Sequence, residues 1–107
     1  MAETYTRLAA LRPTDTNEAE LYAVSASQYI VATLFICNQD SVARTYRVAL
    51  CDDSGAASGE EWLEYDTVIP ANTTYSLKFP AGDGDTIRVK ASAADVISFV
   101  LAGLKIT

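Results

Sequence analysis

The segment Gln28–Asn38, QYIVATLFICN, is the most apolar stretch of the chain, and Arg44–Leu50, RTYRVAL, follows it after QDSVA. Both read as strands, rich in β-branched and aromatic residues and without a helical period. Closed as a hairpin with Asn38 facing Arg44, they bring Ile30, Ala32, Leu34 and Ile36 opposite Tyr46, Val48 and Leu50. Side chains repeat every two residues along a strand, so a slip of one residue would set Thr45 and Arg47 against that apolar row. The even positions are therefore expected in a core. The odd positions carry Tyr29, Val31, Phe35 and Cys37 beside Thr33 and Arg47. This second face is too apolar for free solvent and too mixed for a core. It points to a surface with a task.

Outward from this ribbon the same two-residue period recurs. Thr4–Leu11 reads as a strand or as an extended arm, Arg12–Glu18 as a polar connector, and Glu20–Val24 as a short strand. Asp52–Gly59 has no large side chain and reads as a surface loop. In Glu60–Ile69, Leu63, Tyr65, Thr67 and Ile69 form the expected core face, which leaves Trp62 with Glu64 and Asp66. Pro70-Ala-Asn72 is a tight turn, Pro fixing one backbone angle and Asn accepting the left-handed region. Thr73–Phe79 alternates Tyr75, Leu77 and Phe79 with Thr74, Ser76 and Lys78, and Pro80–Asp85 is a loop. Thr86–Ser92 alternates Ile87, Val89 and Ala91 with Arg88 and Lys90, and Val96–Ile106 is apolar on both faces. About eight short strands with regularly spaced turns predict an all-β, antiparallel, jelly-roll-like sandwich. Residues 1–107 form one domain of ordinary size, with 1–19 as an N-terminal arm plus connector.

Composition narrows the function. The chain has 8 Lys plus Arg against 14 Asp plus Glu, a net charge of −6, and no basic run, which argues against nucleic acid as a partner. No apolar run approaches the ~20 residues of a membrane helix, and no basic start precedes an apolar block, so neither membrane insertion nor secretion is expected. Synthesis in a cytoplasm fits both cysteines being free. In the hairpin register Cys37 and Cys51 lie roughly 20 Å apart, beyond disulfide reach, and both read as small buried hydrophobes.

There is no histidine. That removes Ser-His-Asp and Cys-His nucleophilic schemes and the commonest metal ligand. No phosphate-binding glycine motif occurs, and Asp83 and Asp85 around Gly84 would repel a phosphate. The only acid–base candidates are the paired carboxylates Glu60, Glu61, Glu64 and Asp66 beside Trp62, better read as protection of a strand edge than as a glycosidase pair. Asp52/Asp53 and Asp83/Asp85 lack the spacing of a calcium loop. No enzyme activity, cofactor or metal is expected.

The strand and turn pattern resembles a group of small all-β virion structural proteins of tailed bacteriophages. The resemblance rests on LYAVSAS (Leu21–Ser27), ICNQ (Ile36–Gln39), TYRVAL (Thr45–Leu50), EYDTVIPANTTYSL (Glu64–Leu77), GDTIRVKAS (Gly84–Ser92) and the final ISFVLAGLKIT. It covers most of the chain but carries no catalytic signature, so no functional residue is transferred. It implies a virion component made in the host cytoplasm: a capsid decoration (cement) protein outside the shell, or a tail, neck or fibre component. It also implies a homo-oligomer, dimer or trimer, with the major capsid protein or another virion protein as partner. The residues expected at such an interface are Tyr5, Leu8, Val31, Phe35, Arg47, Val96 and Val100. A competing receptor- or glycan-binding module would instead use Trp62 and Tyr65 as stacking platforms.

Overall fold

The structure is a computed structural model that describes residues 3–52 and 55–107. Eight strands follow one another: β1 (Glu3–Leu11), β2 (Ala19–Ala23), β3 (Tyr29–Asn38), β4 (Arg44–Cys51), β5 (Trp62–Ile69), β6 (Thr73–Ala81), β7 (Thr86–Ala91) and β8 (Ile97–Ile106). They form two four-stranded sheets, β1-β8-β3-β6 and β2-β7-β4-β5. Pairing is nested: first strand with last, second with seventh, third with sixth, fourth with fifth. A ribbon of such pairs rolled onto itself is a jelly roll, the expected architecture.

The ribbon read as a hairpin is not one. β3 pairs with β6 and β8, while β4 pairs with β5 and β7, so the two strands belong to different sheets. Their even faces are nevertheless buried in one core. Ile30, Leu34 and Ile36 from one sheet join Tyr46 and Val48 from the other, closed by Phe99, Leu101, Ile87 and Val89. Tyr46 meets Phe99 edge-on, ring centroids 6.5 Å apart. Alternation establishes which side of a strand is apolar, but facing rows satisfy it equally well across a core as across a ladder. The polar stretch 39–43 crosses between sheets instead of turning back. Asn38, fully buried, fixes this crossing: its amide N–H groups are shared among the carbonyls of Val42, Ile69 and Pro70 at 3.0–3.2 Å.

Glu3–Leu11 takes the strand reading over the arm reading. It pairs with β8 along its length, and Leu8, Ala9 and Leu11 pack against the core. Pro80, expected in a loop, ends β6, an edge strand where a missing N–H costs no ladder bond. Asn72 adopts the left-handed conformation expected of it, φ 55°. The larger correction is in β5. Leu63 and Tyr65, assigned to the core face, are exposed at 42% and 57%. The register with β4 shifts between Glu64 and Thr67, and Asp66 has φ 50°. A bulge inserts one residue and exchanges the faces on either side of it. Only Ile69 of that set is fully buried.

Candidate functional site

The outer face of the β1-β8-β3-β6 sheet follows from its registers. One transverse row holds Tyr5, Leu104, Val31 and Pro80; another holds Ala10, Val100, Phe35 and Ser76. Between them lies Arg7, Ala102, Thr33 and Lys78, and beyond the first row Glu3, Ile106 and Tyr29. The face thus has an apolar centre on β8 and β3, with polar or charged residues toward the edges. Tyr5 is 84% exposed, Phe35 42% and Val31 40%. Strand spacing of ~4.8 Å and a rise of ~3.3 Å per residue make this face roughly 20 Å on a side. That is an extent at which exposed apolar patches commonly serve a function.

Four of the seven predicted interface residues, Tyr5, Val31, Phe35 and Val100, converge here. Leu8 and Val96 do not, because both pack against the core. Arg47 lies on the opposite side of the molecule, in the outer face of the second sheet. The hairpin assumption had placed it beside Phe35. Leu104, Ala102 and Ile106 were missed as site residues, although the doubly apolar character of Val96–Ile106 was the available signal. Cys37, expected to be buried, is half-exposed at one end of this face, while Cys51 is buried. Burial, then the nearby Glu61 carboxylate, raises the Cys51 thiol to about 11, so it stays protonated.

The second sheet's outer face is organised differently. The Arg47 guanidinium donates to both Asp66 carboxylate oxygens, at 2.7 and 3.0 Å, and lies over the Tyr65 ring, 3.9 Å from its centroid. Tyr65 meets Trp62 edge-on, centroids 5.5 Å apart, and Trp62 stands opposite Ala49 in the β4–β5 ladder. The bulge brings this cluster together. Asp66 is thereby held below the usual carboxylate range, chiefly by its hydrogen bond from Arg47. One face of Tyr65 is occupied by a side chain of the same protein. The predicted stacking pair is therefore part of a cluster with Arg47 and Asp66, and Tyr65 remains exposed beyond it.

The remaining carboxylates are also acceptors with structural duties. Glu61 takes hydrogen bonds from the backbone N–H groups of Ser58 and Asp52 and from the Ser58 hydroxyl, which lower it to about 2. Glu18 pairs with Arg88 and accepts the Ala57 N–H, tying the connector to β7 and the 55–59 segment. Asp85 accepts the Gly82 N–H at 2.8 Å. Asp53 lies outside the described residues. Among the described residues no group of three or more Asp, Glu or Cys could hold a metal ion. The surface depressions are shallow; one beside the apolar face is lined by Tyr29, Val31, Pro80 and Asp85.

No protein-family model matches the sequence, and no curated protein does. Solved structures share its fold at low identity. A chain of the acidic stable capsid of Helicobacter pylori bacteriophage KHP30 superposes with a TM-score of 0.57 at 14% identity, covering 100% of this chain and 89% of that one. The Tobacco streak virus coat protein gives 0.50 at 9% identity, over 94% and 85% of the two chains. A chain of infectious bursal disease virus, Gx strain, gives 0.51 at 12%, over 97% of this chain but only 30% of that one. At such identities the likeness is one of fold.

Proposed function

We propose that this protein is a structural component of a virion, and that it is a capsid decoration protein seated on the outside of the shell. The observation that carries the reading is the apolar outer face of β1-β8-β3-β6, on which Tyr5, Val31, Phe35 and Val100 converge. The phage capsid chain it resembles in fold is matched over 89% of its length, which supports a virion role for this fold. Binding would draw on buried apolar area, at ~25 cal/mol per Å² before the costs of association. Repetition over a symmetric particle then compensates for a modest single contact.

Phe35→Glu tests the face. The side chain is 42% exposed, so the variant should fold with stability within about 1 kcal/mol of wild type and be absent from purified particles. Wild-type occupancy of the variant on particles would overturn the reading. Electron microscopy of purified particles tests the location, since decoration requires density distributed over the shell. Density confined to one vertex would reassign the protein to the tail or neck.

A further inference from the structure

The charges around the apolar face are of one sign at its middle row. Arg7 on β1 and Lys78 on β6 lie at the two ends of the row Arg7, Ala102, Thr33, Lys78, and both are exposed. The three ion pairs among the described residues engage Arg44, Arg47 and Arg88. Arg7 and Lys78 take part in none of them. The only acid in the rows of this face is Glu3, at its far corner, although the whole chain carries net −6. A protein this acidic has left an apolar surface flanked by two unpaired cations.

We infer that the face docks on a different protein, whose apolar patch is bordered by carboxylates, and not on a second copy of this chain. The inference rests on the proposed virion role and names the chemistry of its partner. A two-fold axis centred on the face, with strands aligned, would set Arg7 against Lys78 of the other copy or against its own equivalent. With strands crossed, each cation would lie over an apolar row without a counter-charge. Like charges brought together at an interface oppose association, whereas carboxylates opposite both cations would fix register and speed encounter. Size leads to the same requirement. A face about 20 Å square, Arg7 and Lys78 included, supplies only about half of the ~800 Å² that each partner of a standard interface contributes, so the contact must take in the whole face and both cations with it.

The experiment has two arms on the isolated full chain and one on particles. The chain should sediment as a monomer at millimolar concentration, with Cys37 open to a thiol reagent. A dimer that protects Cys37 and is dissolved by Phe35→Glu would overturn the inference. On a matrix bearing alkyl chains and carboxylates, the wild type should be retained despite its net charge and released by a few hundred millimolar salt. Lys78→Glu and Arg7→Glu should each abolish retention, while Lys90→Glu, the same charge change on the other sheet, should not. Equal retention of Lys78→Glu and wild type would overturn it. On particles, the Arg7→Glu/Lys78→Glu double variant should lose occupancy at least tenfold; undiminished occupancy refutes the carboxylate border alone, whereas absence of the wild type from particles refutes the virion role itself.

Discussion

Gly103 is the residue at which the sheet has least tolerance. A Cβ added there would stand 2.3 Å from the Val31 carbonyl oxygen and 2.7 Å from the Ala32 Cα, both backbone atoms, and its φ is 158°. β8 runs between β1 and β3, so the strands cannot separate locally without loss of ladder bonds on both sides. Gly103→Ala should cost about 3 kcal/mol or more, the upper end of the range for overpacked cores, read as a lower denaturation midpoint. Glu61 gives a prediction in pH. Its folded pKa of about 2 lies below the model-compound value of 4.5, so its stabilising effect is complete above pH 4.5 and lost as pH falls from 4.5 to 2. The stability gap between wild type and Glu61→Gln should be present at neutral pH and close across that window. A gap independent of pH would show that the carboxylate charge is not what holds the Asp52 and Ser58 N–H groups. Neither effect was legible in the sequence. Gly103 reads there as one small residue in an apolar strand, and Glu61 as one acid in a run of acids.

Among the elements, β1 separates two mechanisms. An arm held in reserve for a neighbour would leave the isolated protein unaffected by its removal. β1 instead pairs with β8 through Leu11 and places Leu8 and Leu11 against the core. Deletion of residues 1–11 should therefore lower unfolding stability by about 2–3 kcal/mol from those two leucines alone, with the lost ladder in addition. An unchanged urea midpoint would show that β1 is detached in solution. What the sequence made plain at this scale was the identity of the strands and, β5 apart, the buried side of the regularly alternating ones: Ile87, Val89 and Ala91 alternate as cleanly in the structure as in the chain. What it withheld was which strand lies beside which. A two-residue period is indifferent to whether β4 is the neighbour of β3 or faces it across the core. The bulge at Asp66 was hidden for a related reason: an inserted residue leaves composition intact and reverses the faces only beyond it.

For the whole molecule, the two outer faces have opposite characters that the composition could not separate. On the second sheet's face the arginines are paired, Arg47 with Asp66 and Arg88 with Glu18. The first sheet's face keeps its apolar centre and its cations open. The sequence announced a surplus of apolar surface through the doubly apolar strands β3 and β8, and these prove to be the two adjacent central strands of one sheet. It misplaced Arg47 because that assignment depended on the strand neighbour, the piece of information alternation lacks. Surface accessibility should reflect the same asymmetry: on assembled particles, Cys37 labelling on the first face should fall at least tenfold, while cleavage in the 55–59 segment proceeds as in the free chain. Equal labelling of free and assembled protein would place the contact elsewhere.

The strand at the heart of the first sheet is also the last of the eight in chain order. β8 supplies Val100, Leu104 and Ile106 to the apolar face and is the only ladder partner of β1. A chain interrupted before residue 97 therefore leaves β1 and β3 without their common neighbour, and the apolar face is not assembled. Assembly of that face waits on β8, whatever the state of the seven strands before it.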